Sequence, residues 1–295
     1  MKKALFTYLF VFVFILSFAQ TNQERADALI KEALPNNEHG VAVLVARDGE
    51  MLYEKYAGYA NGKKQTAIDA NTTFRIGSVT KQFTAAAILK LVEQGKMNLD
   101  DPLNSYIEDF PRGDKITIHH LLNHTSGIKS YTDQEGFIES VSKPVATEDL
   151  VNEIKTLGFD FEPGEQWKYN NSAYYILGYL IEEQSGMSYE AFLKKHFFEP
   201  AGMANTGVYN NAKKYNMEAL GYANEEGKMK LSMDWDMTRA GGAGNMYSTV
   251  TDLLKWNNFV FSGKAVKEDL LKKAHTQLTL NDESNYPYGY GWGVG

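Results

Sequence analysis

Apolar and polar positions along this chain predict a hairpin, a series of helices and a closing strand. Residues 40–47 (GVAVLVAR) are apolar and valine-rich, Asp48-Gly49 is a turn dipeptide, and residues 51–59 resume a strand pattern. That combination predicts a β-hairpin. Helical periodicity runs over residues 81–94 and returns at 147–157, 171–184, 188–198 and 249–261. Thr249 followed by Asp252 resembles a capping box at the start of the last of these. Residues 116–122 read as a short helical turn capped by Thr117. Residues 288–294 (YGYGWGV) alternate glycine with large side chains, which suggests a strand. A hairpin first, helices in the middle and a strand last imply an α+β fold, an antiparallel sheet packed against a helical region.

The first nineteen residues belong to a different category. Lys2 and Lys3 precede an apolar run over residues 4–18, and Ser17-Phe18-Ala19 fits a small-x-small cleavage site. The run falls short of the roughly 20 residues that span a bilayer. A signal peptide over 1–19 is therefore expected, with no stable membrane anchor after cleavage and a periplasmic or secreted location. No linker divides the remainder, so residues 20–295 read as a single domain. Gly-Tyr-Ala-Asn occurs at both 58 and 221 but without flanking similarity, so it marks no repeat.

Composition narrows the chemistry. With no cysteine, disulfides and a thiol nucleophile are excluded, and so is lipid attachment through a cysteine. The 30 basic and 37 acidic residues give a formal charge of −7, and basic residues of the mature region cluster no further than pairs. Nucleic-acid binding has no electrostatic footprint here. No Gly-x-Ser-x-Gly, Gly-x-Gly-x-x-Gly or Walker pattern occurs, so neither a nucleophile elbow nor a nucleotide cofactor is supported.

Ser78-Val79-Thr80-Lys81 stands at the joint between the extended run 73–77 and the first long helix. In helical geometry a serine and a lysine three residues on lie about 4.5 Å apart along the axis and on nearly one face. The lysine amine can then reach the serine hydroxyl, and the positive helix N-terminus disfavours a charged lysine. A serine cap followed by a surface lysine is the plain alternative. Downstream, Pro163-Gly164 turns the chain ahead of Trp167, Tyr169 and Asn171. A hydroxyl and an amide spaced two apart on extended backbone can point the same way. Tyr169 could relay the serine proton, and Asn171 could hold the lysine or a substrate amide.

Ser78-x-x-Lys81, then Leu121-Leu122-Asn123-His124-Thr125-Ser126-Gly127, then Pro163-Gly164 and Tyr169-x-Asn171 together resemble the class C β-lactamase and DD-peptidase-like serine hydrolases. Further matches in the same order are 198–207 (FEPAGMANTG), Gly241-Gly242 with Ser248-Thr249 and Asp252-Leu253, and 288–292 (YGYGW). The resemblance covers residues 40–295. It implies a β-lactamase/transpeptidase-like fold and a catalytic set of Ser78, Lys81, Tyr169 and Asn171. In that set Ser78 is acylated, Lys81 and Tyr169 move its proton, and Asn171 orients the lysine and the substrate. The backbone amide of Ser78 is implied as half of an oxyanion hole. Asn170, often serine or alanine in such proteins, receives no role. No cofactor and no metal are implied.

The chain departs from the family pattern after residue 292. A His/Lys-x-Gly strand that lines the family's pocket is not reached, nor are the strands and helix that follow it. The expectation is a C-terminally incomplete copy of a longer protein. The implied activity is acyl-enzyme hydrolysis of an amide or ester in a small-molecule or peptide substrate. D-Ala-type peptides, small esters and D-amino-acid amides come first, and a β-lactam after them. A non-catalytic peptide- or glycan-binding relative is the alternative. His120 and His124, four apart, could face one metal on a helix, but no third ligand has suitable spacing.

Overall fold

The helix Thr80–Glu93 buries Lys81, Phe83, Ala85, Ala87, Ile88, Leu89 and Leu91, so apolar side chains cover most of its circumference. A helix apolar nearly all round has to be enclosed on all sides. Its main neighbour is the helix Asn171–Ser185, itself buried from Ser172 through Gly178 and again at Leu180 and Ile181. The computed structural model describes residues 22–34, 39–215 and 217–295. The leader expected over residues 1–19 lies outside the described residues.

Between the two helices runs the turn Gly241–Ala243, packed against both. Glycine permits this approach. A Cβ on Gly242 would stand 2.8 Å from the Gly178 Cα and 2.8 Å from the Tyr174 carbonyl oxygen. Backbone thus meets backbone, and the turn comes within reach of the Lys81 side chain.

The predicted hairpin forms, with Val41–Arg47 antiparallel to Glu50–Ala57. Asp48 and Gly49 both take positive φ (52° and 82°), the turn that matches strand twist. The hairpin lies on the helix Val250–Phe261: Thr251 donates to Glu54 at 3.2 Å, and Asn258 donates to the Gly49 carbonyl at 2.9 Å. Thr249 caps that helix, accepting from Asp252 N–H at 3.2 Å. A three-stranded antiparallel sheet sets Met246–Ser248 between Phe74–Arg75 and Gly207–Val208. The Met246 N–H donates to Thr80 Oγ1 at 3.2 Å, which ties this sheet to the start of the Lys81 helix.

The α+β class holds, but among the described residues the strands form separate two- and three-stranded sheets. Three local expectations need correction. Residues 288–294 do not form a strand; Tyr288 and Gly293 make one isolated bridge around a turn at Gly291, where φ is 78°. The alternating glycines serve close approach instead. A Cβ on Gly291 would lie 2.7 Å from the Lys81 carbonyl oxygen, and one on Gly289 would lie 2.0 Å from that of Ala274. The periodicity over 188–198 resolves into an α-helix, Tyr189–Leu193, followed by a π-helical turn, Lys194–Phe198. The segment 116–122 becomes Ile118–Leu122, capped by Thr117 as expected, with the His120 ring completing a reciprocal capping box.

Gly242→Ala is expected to force the 241–243 turn away from both helices. The thermal midpoint should fall, corresponding to about 1–3 kcal/mol as in other overpacked cores. A melt followed by circular dichroism checks this, and an unchanged midpoint would show that the turn has room to give.

Candidate active site

Four side chains called from sequence meet at one point. Ser78 lies in a single 3-10 turn, Gly77–Val79, that leads into the helix beginning at Thr80. Val79 occupies the cap position, so the serine is not a helix cap; its side chain caps nothing and is free to face the lysine. Lys81 Nζ stands 3.2 Å from Ser78 Oγ. The Tyr169 hydroxyl donates to Ser78 Oγ at 2.7 Å. Lys81 Nζ also donates to Asn171 Oδ1 and to the Ala243 carbonyl, each at 2.8 Å.

Local folding explains each placement. Asn170 caps the helix Asn171–Ser185 by accepting from Ala173 N–H at 2.8 Å, and its amide donates to the Ile128 carbonyl. That capping, with Asn170 itself extended, leaves Tyr169 just ahead of the helix and Asn171 at its first position. Asn170, to which the sequence reading assigned no role, therefore sets the direction of both neighbours. Asn171 Nδ2 donates to Thr132 Oγ1 at 3.0 Å, and Ser130 Oγ stands 2.9 Å from the same oxygen.

The electrostatics are set by burial. Lys81 is 1% exposed, and none of its three polar neighbours carries a negative charge. Desolvation penalises the ammonium and pulls the amine from 10.5 to about 7. The Tyr169 ring lies 4.7 Å from the nitrogen and the Tyr174 ring 5.5 Å from it. Burial raises the Tyr169 phenol above its ordinary value, against a smaller opposing effect of the Ser78 hydrogen bond. Two titrating groups on one serine are thus pushed in opposite directions.

Ser78 opens into a cavity of about 300 Å³ lined also by Tyr131, Thr132, Asn171, Trp235 and Met237. Arg75 stands at its edge, paired with Glu218 at 3.1 Å and Asp234 at 2.7 Å and lying 3.9 Å over the Tyr209 ring. The sequence reading missed Thr132, Trp235 and Ala243. Thr132 sits in a single 3-10 turn, Tyr131–Asp133, and Trp235 in a loop, neither long enough to show periodicity. Ala243 acts through a backbone carbonyl, which leaves no mark on residue type beyond the Gly-Gly-Ala-Gly run. The His120 and His124 rings do not converge: the helix stops at Leu122, His124 takes φ 66°, and each ring has its own partners. His119 lies partly buried, with Nδ1 2.6 Å from the Tyr290 hydroxyl.

Residues 26–295 match the Beta-lactamase family, and the chain belongs to it. PbpX of Bacillus subtilis (strain 168) is 35% identical over 251 residues, which are 85% of this chain and 61% of PbpX. Among solved structures, an octameric penicillin-binding protein homologue from Pyrococcus abyssi superposes with a TM-score of 0.78 at 30% identity. That match covers 91% of this chain and 64% of the homologue. The D-amino acid amidase of Ochrobactrum anthropi SV3, complexed with D-phenylalanine, gives 0.77 at 25% identity, covering 90% and 78%. The chain spans 56–63% of the length of the first curated relatives it matches.

Asn171→Asp would set a carboxylate against the Lys81 amine and favour its charged form. The pH at which the amine becomes neutral is expected to move upward from about 7. The pH dependence of Ser78 labelling by a fluorophosphonate measures it, and a midpoint that stays in place would mean Lys81 does not control the serine.

Proposed function

We propose that this protein is a serine hydrolase that forms an acyl-enzyme on Ser78 and cleaves an amide or ester. The observation that carries the reading is the hydrogen-bond inventory of Lys81. A neutral amine has two N–H donors and one lone pair. Asn171 Oδ1 and the Ala243 carbonyl take the two donors, so the lone pair is left for the hydroxyl of Ser78. With the amine near 7, a large fraction is neutral at physiological pH. The raised Tyr169 phenol stays protonated and donates to the same oxygen.

The chemistry follows from that arrangement. As Ser78 Oγ attacks the carbonyl carbon, its proton passes to Lys81 Nζ, and the carbonyl oxygen takes the negative charge. The Ser78 N–H, in the first turn and without an intrahelical acceptor, is placed to stabilise that oxyanion. When the tetrahedral species collapses, the bond to the amine or alcohol breaks. The leaving group takes a proton through Tyr169, which is replenished from Lys81. Water then attacks the acyl-enzyme, gives its proton to the same pair, and releases the acid and free Ser78. A pocket that only binds peptide or glycan requires no neutral buried lysine on a serine.

The substrate class we propose is an amide or ester carrying a D-configured or small acyl group, D-Ala-type peptides and D-amino-acid amides first. The support is the family and the similarity to a D-amino acid amidase, together with a pocket of about 300 Å³ walled by Tyr131, Trp235 and Met237. Export through the leader over residues 1–19 belongs to the same proposal and matches a cell-wall peptide as substrate.

A fluorophosphonate is expected to add one mass increment, mapped by peptide analysis to Ser78. Labelling that persists in Ser78→Ala would remove the serine from the mechanism. The rate of labelling should fall tenfold per pH unit below about 7, because protonation occupies the lone pair that must accept the serine proton. A profile flat from pH 5 to 8 would exclude Lys81 as the base. Lys81→Ala and Tyr169→Phe should each lower kcat by about 100-fold or more, with the double substitution far short of the product. Ester turnover by the three variants tests it; independent, multiplicative losses would separate the two groups.

A further inference from the structure

We propose that His124 is the positioning residue for Tyr169, holding the phenol on Ser78 by gripping the backbone on both sides of it. This rests on the role given to Tyr169 above. The Asn170 N–H donates to His124 Nδ1 at 3.1 Å, and the Lys168 N–H donates to the His124 carbonyl at 3.1 Å. One residue thereby holds the backbone N–H of the residue on each side of Tyr169. The His124 ring also lies beside the phenol, with centroids 4.6 Å apart and planes at 44°.

The grip depends on two unusual features of His124. Its φ is 66°, a left-handed conformation uncommon outside glycine and asparagine, and it lets carbonyl and ring reach the same segment. The next residues run on alongside that segment, with Gly164 N–H donating to Thr125 O and Asp160 N–H to Gly127 O, both at 2.8 Å. The second feature is the tautomer. Because Nδ1 accepts a backbone N–H, the ring proton sits on Nε2, 3.0 Å from the Tyr288 hydroxyl, to which it donates. A proton on Nδ1 would set donor against donor and release Asn170.

The surroundings keep the ring neutral. His124 is 1% exposed, and among the described residues the titratable groups that face it are Lys81, Tyr169, Tyr174 and Tyr288. None is a carboxylate. Burial, with a smaller contribution from Lys81, holds the imidazole well below its ordinary range. The Asn170 contact therefore survives through the pH range in which Lys81 titrates.

Asparagine and glutamine separate the two ring nitrogens. In His124→Asn, Oδ1 occupies the place of Nδ1, and asparagine tolerates positive φ. In His124→Gln, the amide reaches toward Tyr288 and leaves the Asn170 N–H unpaired. With p-nitrophenyl acetate as probe, His124→Gln is expected to lower kcat about 100-fold with little change in KM. His124→Asn should recover most of that loss. In a Tyr169→Phe background, His124→Gln should cost no more than about threefold further, since positioning acts only through the hydroxyl. Equal losses in Asn and Gln, or a Gln loss that multiplies in full on the Phe background, would overturn the proposal. If Tyr169→Phe slows turnover while His124→Gln does not, only the positioning role falls; if Tyr169→Phe has no effect, the relay falls with it. Nitrogen-15 NMR of the unsubstituted protein tests the tautomer even if the glutamine variant does not fold. A proton on Nε2 is expected, and one on Nδ1 would overturn the proposal.

Discussion

An amine buried without a counter-charge is the constraint around which the site is organised. Removing an ammonium from water is heavily penalised unless it is paired, and among the described residues Lys81 has no carboxylate partner. The protein meets this by letting the group become neutral and giving each of its hydrogens an acceptor. Two oxygens suffice for a neutral amine, and the Asn171 amide and the Ala243 carbonyl supply them. A charged lysine would have a third N–H directed at a serine that already receives the Tyr169 hydroxyl. Burial is what favours the neutral form, and only in that form is a lone pair left to take the serine proton.

Meeting that constraint requires backbone placement that side chains alone cannot achieve. The Ala243 carbonyl comes within 2.8 Å of Nζ because Gly242 presses against Gly178 with no Cβ between them. On the other side Gly291 rests on the Lys81 backbone, closing the helix from water where a side chain would hold it open. Thr84 Oγ1 donates to the Gly242 carbonyl at 2.6 Å, adding a second tie between helix and turn. Each contact packs the elements around the lysine together, and each depends on residues far apart in sequence.

The small sheet and the His124 segment do comparable work for the other two groups. Pairing of Phe74–Arg75 with Met246–Ser248 fixes where the chain enters the Gly77–Val79 turn, and so where Ser78 emerges. Around Tyr169, capping by Asn170 begins the following helix while backbone contacts to His124 restrain the residues on either side. The serine–lysine pair and the tyrosine thus come from two separately anchored segments. The 2.7 Å contact between serine and tyrosine tests how well those anchors agree.

Local signals carried much of the architecture. The Asp48-Gly49 hairpin, the Thr117 and Thr249 caps and the long amphipathic or wholly apolar helices follow from interactions within a few residues, which sequence order preserves. The Ser78/Lys81 spacing was readable for the same reason, since three residues of helix-like backbone bring the pair together. The order of motifs placed Tyr169 and Asn171 in the same family pattern. What sequence could not show were contacts that depend on backbone atoms or on absent side chains. Residues 288–294 alternate as a strand would, yet their glycines answer to the surfaces of Ala274 and Lys81. Asn170 looked dispensable until its cap and the Ile128 carbonyl were seen together. The amino-acid sequence by itself determined which groups could do chemistry. Only the tertiary structure decided the protonation state of Lys81, because that depends on how completely water is excluded and which oxygens replace it.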